Sequence, residues 1–265
     1  MMEIIESILS WHLISYHIGV LLMLLQGRLY FLAFSFYWHN SACHKHYTIV
    51  PWLQHVIRFW LWINSTIWYH GHLTKFTAEH RMHHIYGDSE LDPFSPHRFT
   101  LRELWTYEQR PGAARYVSPE EVEKYGDPSV EPNDAVTMFY KRHQFHGVWI
   151  STLIWTILLG PLGLVLAYFM PRINQYYGTF IGDWFWHKIG YKHPATKSEA
   201  RNFLPFSIVE GLHSNHHAYP NRANKAYRWF EFDFFYHACV VLSWLRIIKF
   251  TNASNTKNLV STVDK

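Results

Sequence analysis

Cysteine is scarce in this sequence, which has only Cys43 and Cys239 among its 265 residues. Two thiols are too few for a disulfide framework or for a cysteine-ligated zinc or iron–sulfur site. The chain also lacks a Gly-x-Gly-x-x-Gly motif for a dinucleotide, and its 24 basic residues are nearly balanced by 20 acidic ones. These features argue against a disulfide scaffold, a nucleotide-cofactor enzyme and a nucleic-acid-binding protein.

Charged side chains are missing from two long apolar stretches. None occurs between Glu6 and Arg28, and none occurs between Arg142 and Arg172. Because a helix rises about 1.5 Å per residue, about 20 residues suffice to cross the hydrocarbon core of a bilayer. Aromatic residues make up 18% of the chain, and Trp and Tyr are typical of the membrane–water interface. The sequence therefore predicts a membrane protein, and its length suits a single domain.

The fold class that we expect is all-α, with four transmembrane helices arranged as two hairpins below a helical cap. The four helices are predicted at about residues 4–25, 29–47, 147–170 and 172–190. Turns at Gln26-Gly27-Arg28 and at Pro171-Arg172 would separate the two members of each hairpin. Gly160-Pro161 would kink the third helix.

Three other segments complete the predicted organisation. Segments 50–68 and 229–245 are aromatic and short of acids, which favours helices that lie in the interface, and 251–265 is expected to be a disordered tail. Lys and Arg crowd the segments that follow each hairpin. The positive-inside rule then puts the polar ends of the helices on the cytoplasmic side of a bacterial inner membrane or of the endoplasmic reticulum.

Histidine, by contrast, is abundant, with 20 residues. The pattern His-x-x-His-His occurs twice, at residues 80–84 and 213–217, and so supplies His80, His83, His84, His213, His216 and His217. Positions i, i+3 and i+4 share one face of a helix. Each triplet is therefore expected to aim three imidazoles at one point, as half of a metal site.

A weaker pair, His39 and His44, ends the second predicted membrane helix on the same side as the triplets. His12 and His17 have the same spacing, but they sit inside an apolar run without a partner cluster. We therefore interpret that second pair as packing residues. Context, rather than spacing, favours His39 and His44 as metal ligands.

The last candidate ligand is His187, at the end of the fourth predicted helix. A lone histidine is more often a packing residue, but Asp183 lies one turn earlier, where it is suited to orient an imidazole or a metal-bound water. His46 and His72 are close enough to the clusters to remain alternatives.

The number of imidazoles indicates which metal they would bind. Zinc takes four protein ligands in structural sites and three in catalytic ones, so eight or nine imidazoles exceed one zinc. Imidazole also suits iron, whose open positions can activate dioxygen. The paired carboxylate set of soluble di-iron bundles is not visible in this chain. We expect two iron ions as cofactor, with O2 as co-substrate.

Two histidine-rich runs resemble a known family. The run from His80 to His84 with the following Asp92-Pro93, and the run from Glu210 to Pro220, are similar to the second and third histidine boxes of membrane fatty acid desaturases, closest to the acyl-CoA branch. His39 to His44 fits the first box, and His187 fits that family's isolated ligand. The resemblance extends from about residue 29 to about residue 244.

This resemblance implies four transmembrane helices, a cytosolic cap holding two irons, and oxygen-dependent removal of two hydrogens from adjacent carbons of an acyl chain. The implied ligands are His39, His44, His80, His83, His84, His187, His213, His216 and His217. Asp92, Asn215 and Asp183 would support these ligands or a metal-bound water. Asp183 stands where the animal enzymes of that branch have an asparagine that holds a water, so direct ligation by its carboxylate becomes an alternative.

The implied partners are a fatty acyl substrate, carried on coenzyme A, a carrier protein or a lipid, and an external electron donor. Since the chain has no nucleotide motif of its own, we expect a ferredoxin or a small haem cytochrome with its reductase. A hydroxylase on the same scaffold is the alternative, although Asp92-Pro93 and the context of Asn215 favour desaturation. A non-enzymatic metal-binding membrane protein is a more remote alternative, because the histidines cluster at one membrane face.

Overall fold

The computed structural model describes residues 10–64, 73–106, 116–143, 145–204 and 210–251, with the backbone alone at 101, 105, 106, 170–181 and 183. The described chain is mostly helical. Its helices are α1 (Tyr16–Phe34), α2 (Pro51–Asn64), α3 (Leu73–Tyr86), α4 (Leu101–Thr106), α5 (Pro119–Tyr125), α6 (Ala135–Arg142), α7 (His146–Thr179), α8 (Trp186–Lys188), α9 (His213–Ala218) and α10 (Phe234–Trp244). π-Helical segments Ser35–Cys43 and Phe180–Phe185 continue α1 and α7, and strands β1 (Tyr47–Ile49) and β2 (Ile248–Phe250) pair antiparallel.

Two helical segments in the described part of the chain are long and apolar enough to cross a membrane, Tyr16–Cys43 and His146–Phe169. Many of their large apolar side chains are exposed, including Leu21 on α1 and Leu153 on α7. A contiguous apolar exterior of this kind suits contact with lipid better than contact with water. The sequence and the structure thus agree on a helical membrane protein.

The first predicted hairpin is wrong in its boundaries, because α1 runs without interruption through Gln26-Gly27-Arg28. The polar side chain at this point is hydrogen-bonded inside the helix packing instead of marking a turn. Gln26 Oε1 accepts a hydrogen bond from Trp155 Nε1 at 2.7 Å, and its amide nitrogen donates to Asn64. The chain instead leaves the helical conformation at residues 11–15, inside the predicted helix 4–25.

That break is explained by the kink in α7, which lies where the sequence predicts it. Gly160 has φ 61° and ψ −145° inside α7. The carbonyl of Leu158, just before the kink, accepts hydrogen bonds from Leu13 N at 2.8 Å and Ile14 N at 3.3 Å. A Cβ on Gly160 would stand 2.1 Å from the Trp11 carbonyl oxygen, so only glycine fits the crossing.

The second predicted hairpin also differs, because α7 continues through Pro171-Arg172 to Thr179. Proline inside a helix removes one hydrogen bond and bends the helix without always ending it. Pro161 occupies the first turn after the kink, where proline is well tolerated. The sharp change of direction is therefore at Gly160 instead of at residue 171.

The interfacial segments are shorter helices than predicted. Segment 50–68 is helical as α2 up to Asn64, beyond which 65–72 lie outside the described residues, and segment 229–245 contains α10. Trp229 and Trp244 at the two ends of that second segment are 95% and 77% exposed. The predicted tail beyond residue 251 also lies outside the described residues.

An apolar core beneath the β-ribbon packs Tyr37, Leu61, Phe76, Cys239 and Ile248 together. It joins α2, α3, α10 and the π-helical segment that continues α1.

Candidate metal centre

Nine imidazoles converge in two neighbouring groups. The five-histidine group comprises His39, His44, His80, His84 and His216, and the four-histidine group comprises His83, His187, His213 and His217. Within each group the candidate ligand atoms all lie within 4.8 Å of one another. These are the nine histidines predicted from the sequence.

The two triplets do not each form half of a site that points at one centre, as expected; each is divided between both groups. His80 and His84 on α3 belong to the five-histidine group, whereas His83 belongs to the four-histidine group. On a helix with about 3.6 residues per turn, positions i and i+4 are about 40° apart, and position i+3 lies about 60° to the other side. Helix α9 repeats the division with the groups exchanged, because His213 and His217 face one group and His216 faces the other.

The contact between His39 and His44 depends on the π-helical segment that continues α1. His44 N donates to the His39 carbonyl at 3.1 Å, which is the i→i+5 bond of a π-helix. In an α-helix, residues five apart point about 140° away from each other. The wider π turn brings them together, and their Nε2 atoms lie 3.2 Å apart.

The spacing of the nitrogen atoms matches a metal coordination shell. In the five-histidine group, Nε2–Nε2 separations are 2.8 Å for His44–His80, 3.0 Å for His80–His84 and 3.1 Å for His39–His216. In the four-histidine group, His213 Nε2 lies 3.1 Å from both His187 Nε2 and His217 Nε2. Two imidazoles bound at right angles, at the usual distance of about 2.1 Å, have nitrogens about 3.0 Å apart.

Buried carboxylates fix the rings in the four-histidine group. His83 Nδ1 donates to Asp92 at 2.9 Å, and His187 Nδ1 donates to Asp88 at 2.9 Å. Each bond places the ring proton on Nδ1, so the Nε2 lone pair faces the centre of the group. The sequence predicts that Asp183 orients the His187 ring, but in the structure Asp88 accepts the hydrogen bond from His187. The backbone of Asp183 lies in the π-helical segment before α8, and its side chain is outside the described residues.

The same arrangement serves the five-histidine group. His39 Nδ1 donates to Glu210 Oε1 at 2.9 Å, and Ser35 Oγ donates to the same oxygen at 2.6 Å. Burial raises the pKa of Glu210, but His39 and Lys225 outweigh that effect and hold it well below the usual range. The Glu210 carboxylate is therefore ionised and accepts these hydrogen bonds.

These donors fit metal ions of the kind that the sequence predicts. With Nδ1 of His39 and His187 protonated, their Nε2 lone pairs face the Nε2 atoms of His216 and His213, each at 3.1 Å. A cation between these nitrogens would accept the lone pairs of both rings in each pair. For five of the nine histidines, burial and the neighbouring histidines hold the imidazole pKa well below its usual range. These five are His80, His84, His213, His216 and His217. These rings stay neutral, which is the state that binds metals.

The remaining candidates have other environments. Asn215 uses its side chain to brace α9, because its amide donates to Glu231 Oε2 at 2.7 Å and its oxygen accepts from Asn202 at 2.7 Å. His46 lies within hydrogen-bond distance of Asn40 Oδ1 and the Pro220 carbonyl, so neither of its nitrogens joins a group. His72 lies outside the described residues. His12 and His17 are exposed and belong to neither group.

Sequence reasoning did not assign roles to Asp88 and Glu210. Asp88 is 99 residues from His187 along the chain, so no local spacing links the two. Its φ of 63° is tolerated by aspartate better than by most residues. Glu210 stands three residues before His213, and this nearness to a histidine triplet is the one feature of the sequence that could have indicated its role.

Comparison with known proteins gives a consistent result, although no family model matches the chain. The chain is 26% identical over 229 residues to the sn-2 palmitoyl-lipid 9-desaturase of Nostoc sp., covering 80% of this chain and 73% of the relative. It is 26% identical to the Delta-9 desaturase-like 1 protein of Arabidopsis thaliana, covering 76% and 66%. It is 23% identical to the sn-1 stearoyl-lipid 9-desaturase of Anabaena variabilis, covering 92% and 82%.

Buried polyhistidine groups beside membrane-length apolar helices are features of a metal-binding membrane protein. Over most of its length the chain is similar to acyl-lipid and acyl-CoA 9-desaturases, which supports a fatty acid desaturase, an oxidoreductase.

Proposed function

We propose that this protein is a membrane-bound, oxygen-dependent di-iron desaturase that introduces a double bond into a fatty acyl chain. The observation that carries the proposal is the division of nine buried imidazoles into two adjacent groups, each with the nitrogen spacing of a metal coordination shell. Neutral imidazole nitrogens suit iron. Iron held by these residues would supply oxygen-dependent oxidation, in which O2, two electrons from an external donor, two protons and two hydrogens from adjacent methylene carbons give an alkene and two waters.

The residues of the chain hold and isolate this centre. Asp88, Asp92 and Glu210 fix the ring orientations, and a fixed geometry is what allows a site to act on one chosen pair of carbons. Aromatic side chains pack around the rings, with Phe76 stacked on His80 at 5.7 Å and Trp186 near His213 at 5.4 Å between ring centroids. These contacts restrict the rings and limit the access of water, although His44, His84 and His217 remain partly exposed.

The topology and the substrate extend this proposal. We propose four membrane crossings with the histidines on the cytoplasmic side, of which Tyr16–Cys43 and His146–Phe169 would provide two. Two of the relatives are named for acyl groups at the sn-1 and sn-2 positions of lipids. By analogy we propose a lipid-linked or coenzyme A-linked acyl substrate and a separate ferredoxin or small cytochrome as electron donor.

Expression in a host with simple lipids, followed by mass-spectrometric location of new double bonds, tests the proposal. We expect an alkene in the acyl chains of cells that express the wild-type protein, and none with His216→Ala, which removes a ligand from the five-histidine group. A hydroxylated product without an alkene would overturn the desaturase assignment. Retained activity in His216→Ala would overturn the assignment of the metal ligands.

A further inference from the structure

One buried cation has no role in the proposal so far. The side chain of Lys225 is 2% exposed, and its Nζ lies 2.5 Å from Glu210 Oε2. Its backbone N–H donates to Asp233 Oδ2 at 2.8 Å, and Asp233 caps α10 through Tyr236 N at 2.9 Å. Lysine is almost never fully buried unless it is paired, so this position calls for an explanation.

Lys225 holds the second oxygen of a carboxylate whose first oxygen is on a candidate ligand. Glu210 Oε1 accepts from His39 Nδ1 and Ser35 Oγ, whereas the donor at Oε2 is Lys225. The carboxylate is thus clamped from both sides. Rotation of Glu210 away from His39 would break the 2.5 Å contact with Lys225.

The four-histidine group has no equivalent cation within the described ranges. Asp92 accepts from the backbone nitrogens of Asp88 and Phe94, both at 2.8 Å. Asp88 accepts from Glu199 N at 2.7 Å and Ser95 Oγ at 3.1 Å. Those two carboxylates are positioned by neutral backbone and hydroxyl donors, whereas Glu210 is positioned by a charged side chain.

We propose that Lys225 is a positioning residue for the five-histidine group alone, which keeps Glu210 on His39 and thereby keeps His39 Nε2 aimed at the metal position. This rests on the proposed function, because it requires that the groups bind metal. Loss of Lys225 should then weaken one metal position and leave the other unchanged. A general structural role would instead weaken both positions or only the fold.

The test is metal binding by Lys225→Met in the full-length protein, purified in detergent and stripped of metal. Anaerobic titration with Fe2+ against a competing chelator gives the affinities of the two positions. Loss of such an outer partner typically weakens metal binding about 10- to 100-fold, and we expect this at one position only. Lys141→Met, which removes a lysine paired with Glu131 away from the histidines, should bind two irons as the wild type does.

Two further variants separate positioning from folding. Lys225→Arg keeps a charged donor and should recover most of the lost affinity. In a Glu210→Gln background, Lys225→Met should cause no further loss, because the lysine acts through that carboxylate. Should Lys225→Met fail to fold, Lys225→Ala takes its place with the same expected loss at one position, because it too removes the donor to Glu210.

The outcomes are distinguishable. Wild-type affinity at both positions of Lys225→Met, an equal loss at both, or an additive loss with Glu210→Gln would overturn the role of Lys225. A wild-type protein that binds no iron would instead overturn the proposed function.

Discussion

Asp88→Asn separates the charge at the four-histidine group from its shape. Asp88 has a positive φ, and asparagine adopts that conformation as readily as aspartate. An asparagine oxygen in place of Oδ2 can still accept from His187 Nδ1 and Glu199 N, at 2.9 and 2.7 Å in the wild type. The amide nitrogen would face Ser95 Oγ, which can accept a hydrogen bond. The geometry is therefore retained while the negative charge is lost.

The size of the effect follows from these bonds. A hydrogen bond to a charged group contributes about 1.5–3 kcal/mol and a neutral one about 0.5–1.5 kcal/mol. Two bonds lose their charge, so the metal-free protein should be destabilised by about 2 kcal/mol. For Asp88→Ala, the two buried N–H groups lose their acceptor, and about 1–3 kcal/mol for each gives roughly 2–6 kcal/mol. In both variants iron should bind about 10- to 100-fold more weakly at the four-histidine position.

Chelator competition measures the metal affinities, and thermal unfolding in detergent measures the stability of the metal-free protein. Glu121→Gln is the matched control. Its carboxylate accepts from Ser118 N at 2.8 Å in the capping box of α5, where glutamine serves as well as glutamate. Two irons bound by Asp88→Asn with wild-type affinity would refute the view that this carboxylate sets the orientation and basicity of His187.

Three other predictions follow from the described contacts. Gly160→Ala should destabilise the protein by at least about 1 kcal/mol, because it adds a Cβ at positive φ that would lie 2.1 Å from the Trp11 carbonyl oxygen. The control is Gly182→Ala, whose Cβ would meet nothing within 4 Å. Equal thermal unfolding of the two variants would contradict this prediction. His46→Gln should still bind two irons, so iron content near one per chain would make His46 a ligand. The metal-free protein should lose stability as the pH falls below about 6.5. Burial holds the pKa values of the clustered histidines low in the folded state only, so the unfolded chain takes up the protons. A stability profile that is flat from pH 8 to 5 would contradict this.

Local spacing in the sequence identified six of the nine candidate ligands, whereas position on a helix end favoured His39, His44 and His187. The two His-x-x-His-His patterns lie on short helices, where side chains three and four positions apart necessarily share a side. The kink at Gly160-Pro161 and the two long charge-free stretches were also visible, because backbone freedom and apolar composition are properties of the segment itself. Asp92 could be named only through the resemblance of residues 80–93 to a desaturase histidine box; in the structure it accepts from His83 Nδ1.

Only the tertiary structure decided how these residues are shared and supported. Each triplet serves two groups because another helix approaches each side of it, and the π-helical turn that joins His39 to His44 leaves no periodic signal. Gln26 continues a helix instead of ending it, because Trp155 Nε1, far along the chain, donates a hydrogen bond to its side chain. Asp88 reaches His187 and Lys225 reaches Glu210 across the fold, and hydrogen bonds between distant segments depend on how those segments pack, which the local sequence pattern does not specify.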